Sequence, residues 1–171
     1  MLLNIYQSLF IIFTGYNKYF NLKFTDFGFD ERLMEGIDAS GYEDATPVQE
    51  QVIPLIMAGK DVIASAQTGT GKTAAFLLPL INKIITAPHD GHSNNALVIV
   101  PTRELAIQIA QHMEGLSYFT SVSSIAVYGG GDGNAFVQEK KALSHGADVV
   151  ICTPGKMMAH IKMGYVKLSG L

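Results

Sequence analysis

Apolar and polar positions along this chain fall into blocks whose period switches between that of a helix and that of a buried strand. Residues 30–40 place Leu33, Met34 and Ile37 at helical spacing and are closed by Gly41, which predicts a short amphipathic helix. Thr46 can cap a second helix with Pro47 at its first position, running to Ala58 before Gly59. Residues 62–66 form an apolar run of strand length, read as a buried strand. Glycines and threonines follow, then an apolar helix over 72–85 that Pro79 is expected to bend by removing a backbone donor. The alternation then repeats. Strands are predicted at 96–100, 122–128 and 147–152, and helices at 103–117, 134–144 and 154–163. Leu105, Ile109, Met113 and Leu116 make one stripe of the first of these helices. Strand followed by helix four times over predicts an α/β fold, a parallel sheet with helices on both faces. Residues 89–95 are the one loop of linker-like composition, and no internal repeat is present.

Composition narrows this reading only a little. A length of 171 residues suits one domain with a proper core. Twelve basic against fifteen acidic side chains leave a net charge of −3, so a strongly basic nucleic-acid footprint is absent. One cysteine leaves no disulfide framework or zinc cluster and fits a reducing, cytoplasmic setting. A hydrophobic fraction of 48% against 16% charged residues excludes a disordered chain. Residues 1–22 stand apart: they are mostly apolar, with Lys18 as their single charge. They lack the basic start and small-residue cleavage site of a signal peptide. The run 9–13 is far shorter than the about 20 residues that span a bilayer, so no membrane partner is expected. This stretch reads as an extension of uncertain order with no chemistry and no strand to offer, ahead of a domain over 23–171.

The most specific motif is Ala66-Gln67-Thr68-Gly69-Thr70-Gly71-Lys72-Thr73, directly after the first predicted strand and opening a helix. It is the phosphate-binding loop pattern, with Ala66 where the strict form has Gly. Gly69 and Gly71 let successive backbone N–H groups turn toward an anion, and the helix beginning near Lys72 adds its positive end. Lys72 offers a point charge to β- and γ-phosphates, and the Thr73 hydroxyl a ligand for Mg²⁺.

Four further segments occur in a telling order around that loop: Gly41 to Gln49 upstream, Pro101-Thr102-Arg103-Glu104-Leu105-Ala106 downstream, and then Gly129-Gly130 and Thr153-Pro154-Gly155-Lys156. Together with Phe24 the set resembles the first RecA-like domain of DEAD-box ATP-dependent RNA helicases, over residues 24–171. The resemblance implies a RecA-like P-loop NTPase fold and ATP with Mg²⁺ as cofactors. It implies that Gln49 hydrogen-bonds the adenine edge, which suits an amide with one donor and one acceptor side, and that Phe24 stacks on the base. It further implies that Pro101, Thr102 and Arg103, Gly129 and Gly130, and Thr153, Pro154 and Gly155 hold the sugar-phosphate backbone of RNA. Helix N-termini bind phosphate without net positive charge, so a domain at −3 can do this. Lys156 stands where the family has Arg; it keeps the charge and loses the planar fork.

No Asp-Glu-Ala-Asp occurs in the chain. Against the family pattern, the sheet is expected to be incomplete at its C-terminal end. The fragment alone is expected to be marginally stable and inactive as an ATPase, with a second RecA-like domain supplied by the full-length protein. The alternatives are a non-hydrolysing ATP- and RNA-binding module, or a small-molecule kinase or DNA-directed motor of another P-loop class. The kinase reading does not explain the segment around Gln49. Cys152 reads as a core residue, the five histidines share no ligand spacing, and Glu104 belongs to its helix start.

Overall fold

The computed structural model describes the backbone of residues 9–12 and all of residues 22–87 and 93–171. The rest of the apolar extension, together with His89 and His92 in the linker-like loop, lies outside the described residues. The chain divides into two compact units, residues 1–83 and 84–171.

In the first unit, residue 22 onward is laid against the segment ahead of the second predicted helix. Lys23 bridges Asp44 in antiparallel fashion, and Ala45 N–H donates to Leu22 C=O at 2.9 Å. A 3₁₀ turn, Phe24–Phe27, follows and ends at Gly28. Helix α1 spans Glu31–Ala39 and is capped by Asp30, whose carboxylate accepts from Arg32 N–H at 3.0 Å. It buries Leu33 and Ile37. Helix α2 spans Pro47–Met57, with Thr46 at its N-cap and Pro47 at its first position. Its buried face, Val48 and Val52, packs with Ala75 and with the partly buried Ile56, Val62 and Ala66.

Among the described residues of this unit two strands occur, β1 (Leu9–Ile12) and β2 (Val62–Ser65). They pair in parallel from Leu9 opposite Val62 to Ile12 opposite Ser65. The extension therefore does supply a strand, contrary to the expectation that it could not. Its uncharged apolar run has the composition of a parallel-sheet strand, but a run that short carries no periodicity to announce one. A second correction concerns β2, read as buried. Ile63 is 46% exposed, and Ala64 and Ser65 are exposed with it, since among the described residues β2 has β1 as its one strand partner. Helix α3 spans Lys72–Thr86 and carries Pro79 without ending there.

The second unit holds β3 (Ala96–Ile99), α4 (Arg103–Ser117), β4 (Ser124–Val127), α5 (Gly133–His145), β5 (Val149–Cys152) and α6 (Pro154–Lys162). Among its described residues the strands are parallel in the order β3-β5-β4. The central strand β5 is fully buried, and Val150 and Cys152 pack with Val127, Leu143, Ala147 and Met157. The ends at which the strands begin are tied by side chains. Asp148 accepts from Asn95 Nδ2 and from the Ser123 N–H and hydroxyl, each at 2.8 Å. Asn94 accepts from Ala147 N–H at 3.0 Å and donates to Lys167 C=O at 2.6 Å, which anchors the segment after α6. The opposite ends, where β3, β4 and β5 stop and the next helices open, are left for other work. No helix among the described residues is long and apolar enough to cross a membrane.

Candidate functional site

The loop 66–73 joins β2 to α3. Gly69 and Gly71 adopt φ of +80° and +84°, the left-handed conformation that the motif requires of them. The Thr70 hydroxyl donates to Gln67 C=O at 2.8 Å, which closes the turn on itself. Lys72 folds back over the loop, its Nζ hydrogen-bonded to the carbonyls of Ala66 and Gln67. Thr73 follows in the first turn of α3 and is half-buried, whereas Gln67, Thr68 and Gly69 are exposed.

Helix α2 braces this loop from behind. The Thr46 hydroxyl donates to Thr70 C=O at 2.8 Å, and Gln49 Nε2 donates to Gly71 C=O at 3.1 Å. Gln49 Oε1 meanwhile accepts from Thr46 N–H at 2.8 Å, half of a capping box. Gln49 is thus 1% exposed and bonded on both sides of its amide, with one amide hydrogen and one carbonyl lone pair still unused by these contacts. At Gly71 there is no room for a side chain, because a Cβ would fall 2.4 Å from Gln49 Nε2. The helix cap Thr46 was legible in sequence. Its reach to a carbonyl in the loop was not, since nothing in the spacing signals a contact between residues so far apart.

Phe24 is 1% exposed. Its ring meets Tyr42 edge-on at 5.6 Å and Phe27 at 5.9 Å, so here it serves as core, and a base could stack on it only if the ring were uncovered.

In the second unit the remaining candidates gather on one rim, because they follow three parallel strands. Pro101, Thr102 and Arg103 follow β3, Gly129 and Gly130 follow β4, and Thr153, Pro154 and Gly155 follow β5. All are exposed except Thr153, which is half-buried. Three helices open here. Thr102 caps α4, accepting from Leu105 N–H at 3.2 Å. Asp132 caps α5, accepting from Ala135 N–H at 2.9 Å. Thr153 begins α6, and its own N–H donates to Val127 C=O at 3.0 Å. The Arg103 guanidinium lies over the Tyr128 ring at 5.1 Å, an arrangement that aims a planar cation across the rim. Gly130 gives it room, since a Cβ there would sit 2.6 Å from the Arg103 Nη1. Tyr128 belongs to none of the motif segments; an aromatic next to a glycine run is its one local signal. Lys156 is paired with Glu139 at 3.0 Å. The Cys152 thiol, 0% exposed at the end of β5, is pushed up to about 11 by burial. Among the described residues no group of three His, Cys, Asp or Glu is placed to hold a metal ion.

The geometry can therefore receive an anion at a loop-to-helix junction and a second, extended anion along the starts of α4 and α6. Comparison with known proteins shows the family. The family model described as DEAD/DEAH box helicase matches residues 46–171. The chain is 47% identical over 148 residues to the ATP-dependent RNA helicase CshA of Listeria monocytogenes, which covers 85% of this chain and 27% of that protein. It is 40% identical over 146 residues to the DEAD-box ATP-dependent RNA helicase RhpA of Helicobacter pylori, covering 85% of this chain and 28% of that one. A crystal structure of a DEAD box protein from the hyperthermophile Methanococcus jannaschii superposes with a TM-score of 0.76 at 33% identity, over 87% of this chain and 39% of that chain. The chain spans less than a third of the length of these two curated relatives.

Proposed function

The chain belongs to the DEAD/DEAH box helicase family, and from that membership we propose that it binds ATP with Mg²⁺ at residues 66–73 and the backbone of RNA along the rim of β3, β4 and β5. The observation that carries the nucleotide reading is the loop itself. Two left-handed glycines and a lysine ammonium are held at the head of α3 and braced by Thr46 and Gln49. The Lys72 ammonium rests on two carbonyls of its own loop, and a phosphate is the stronger acceptor that would draw it outward.

The residues present fit such a ligand. The exposed backbone from Gln67 to Gly69 and the start of α3 offer N–H donors, Lys72 offers the charge, and the Thr73 hydroxyl offers a Mg²⁺ ligand alongside the phosphate oxygens. When bound, Mg²⁺·ATP supplies the phosphoanhydride bond whose cleavage the family couples to work on RNA. Gln49 would read the adenine edge with its remaining amide hydrogen and lone pair while its bond to Gly71 keeps the loop braced. On the rim, the hydroxyl and N–H groups at the starts of α4 and α6 and the Arg103 guanidinium would hold successive phosphates without reading sequence.

We extend the reading to activity. Joined to a second RecA-like domain and an acidic motif, this domain takes part in RNA-stimulated ATP hydrolysis with strand separation in the cytoplasm. These 171 residues contain no Asp-Glu-Ala-Asp, so on their own they bind without turnover. Titration calorimetry with Mg²⁺·ADP tests the nucleotide site. The chain is expected to bind and Lys72→Ala to lose binding; equal heats from the two would show the loop assignment to be wrong.

A further inference from the structure

Glu139 joins two of the helices that open on the rim, and neither the nucleotide loop nor the phosphate contacts account for it. It lies in the middle of α5 with its side chain 7% exposed. A carboxylate so deeply buried needs partners, and it has two on one oxygen. Oε2 accepts from Lys156 Nζ at 3.0 Å and from His160 Nε2 at 3.1 Å. Lys156 and His160 are one turn apart on the same face of α6. His160 is 0% exposed, and its Nδ1 is hydrogen-bonded to the Tyr165 hydroxyl. The tautomer that donates from Nε2 to Glu139 leaves Nδ1 to accept from Tyr165, so both ring nitrogens are used. Phe136, one turn before Glu139, stacks on the His160 ring at 5.1 Å and 17°. Lys156 Nζ lies 5.4 Å over the Phe136 ring. Burial, and after it the Glu139 charge, push the Tyr165 phenol above its ordinary value.

Lys156 thus has a carboxylate and an aromatic face as its surroundings and a side chain only 20% exposed. Its positive charge is already compensated inside the protein. It also sits directly after Gly155 in the first turn of α6, so whatever fixes Lys156 fixes the backbone of residues 153–155. We propose that Glu139 is a positioning residue of the rim: by holding Lys156 and His160 it locks the start of α6 against α5, and Lys156 is a strut between the helices that makes no phosphate contact. The proposal rests on the RNA-backbone reading above. It predicts that the charge of Lys156 contributes no counterion release on RNA binding, although its removal loosens the site.

The test is the salt dependence of binding of a fluorescein-labelled ten-nucleotide oligouridine to the 171-residue chain and to Lys156→Gln, Lys156→Arg and Arg103→Gln. Loss of a phosphate contact to a single strand lowers the slope of log K against log salt by about 0.7. Lys156→Gln is expected to weaken binding by the same factor at every salt concentration, leaving the slope unchanged. Lys156→Arg, which can still reach the Glu139 carboxylate, is expected to restore it, and Arg103→Gln to lower the slope. A slope lowered by Lys156→Gln as much as by Arg103→Gln would overturn the proposal. A thermal-unfolding cycle of Glu139→Gln, Lys156→Gln and the double variant needs no RNA. The double variant is expected to lose little more than either single one, and strictly additive losses would overturn the strut. Should the unaltered chain bind no RNA, the function proposed above fails while the cycle still decides the pair.

Discussion

Gly71 and Gly69 share a left-handed backbone, yet they differ in what surrounds them. A Cβ on Gly71 would lie 2.4 Å from Gln49 Nε2, whereas a Cβ on Gly69 would meet nothing within 4 Å. Alanine at Gly69 therefore costs only the left-handed conformation, about 1 kcal/mol. Alanine at Gly71 adds expulsion of the Gln49 amide and exposes the Gly71 carbonyl to loss of its brace. Differential scanning fluorimetry of the two variants is expected to show the larger fall in Tm for Gly71→Ala; equal falls would mean that the brace carries no weight. Gln49→Ala follows from the same contact. Sequence reasoning assigns Gln49 to the base alone, but its bond to Gly71 predicts that phosphate affinity falls together with base preference. Cys152 gives an independent check on the core. With its thiol at about 11 and no exposure, the nucleophilic thiolate is scarce at pH 8 and out of reach. Alkylation by iodoacetamide is expected to be slow in the native chain and to accelerate on unfolding, while rapid native labelling would contradict the buried β5.

The helices owe their positions to caps, and these are where single changes tell most. Asp132→Ala removes the acceptor for Ala135 N–H at the start of α5 and is expected to cost about 1 kcal/mol, read from denaturant unfolding. At α1 the Arg32 guanidinium beside Asp30 holds its carboxyl below the usual carboxylate range. The folded value is the depressed one, so this stabilisation is present above the ordinary carboxylate range and is lost as pH falls through the folded value. Asp30→Asn is expected to flatten the acid limb of the stability profile; an unchanged limb would remove the pair from the account. Helices α1 to α6 and strands β2 to β5 are legible in sequence, because caps, glycines and apolar spacing are local signals. Strand β1 was not, since an apolar run in the extension looks the same whether it pairs or not. The order β3-β5-β4 was not either, because a strand's neighbour is chosen by packing across the sheet. The same limit applies to the site. The glycines and Lys72 could be read directly, but the brace from Thr46 and Gln49 and the strut from Glu139 to Lys156 join residues on separate elements.

Across the whole molecule, apolar surface is distributed unevenly over the strands. Strand β5, with a partner on each side, is fully buried. Ile63 on β2 and Ile99 on β3 are 46% and 61% exposed, and such side chains beside strand edges invite association. Ile99→Thr, which keeps a β-branched residue, is expected to reduce light scattering of the concentrated chain with little change in Tm. A large fall in Tm would show that Ile99 is packed. A domain's net stability is about 5–15 kcal/mol, so a chain with this much uncovered strand surface is expected to unfold at modest temperature, as scanning calorimetry would show. What the molecule binds is decided more directly by one titration. Mg²⁺·ADP and Mg²⁺·GDP are compared on the unaltered chain and on Gln49→Ala. The unaltered chain is expected to bind ADP more tightly than GDP, and Gln49→Ala to lose that preference along with part of its affinity for both. Equal affinity of the unaltered chain for the two nucleotides would contradict an adenine site built on Gln49 and the loop it braces.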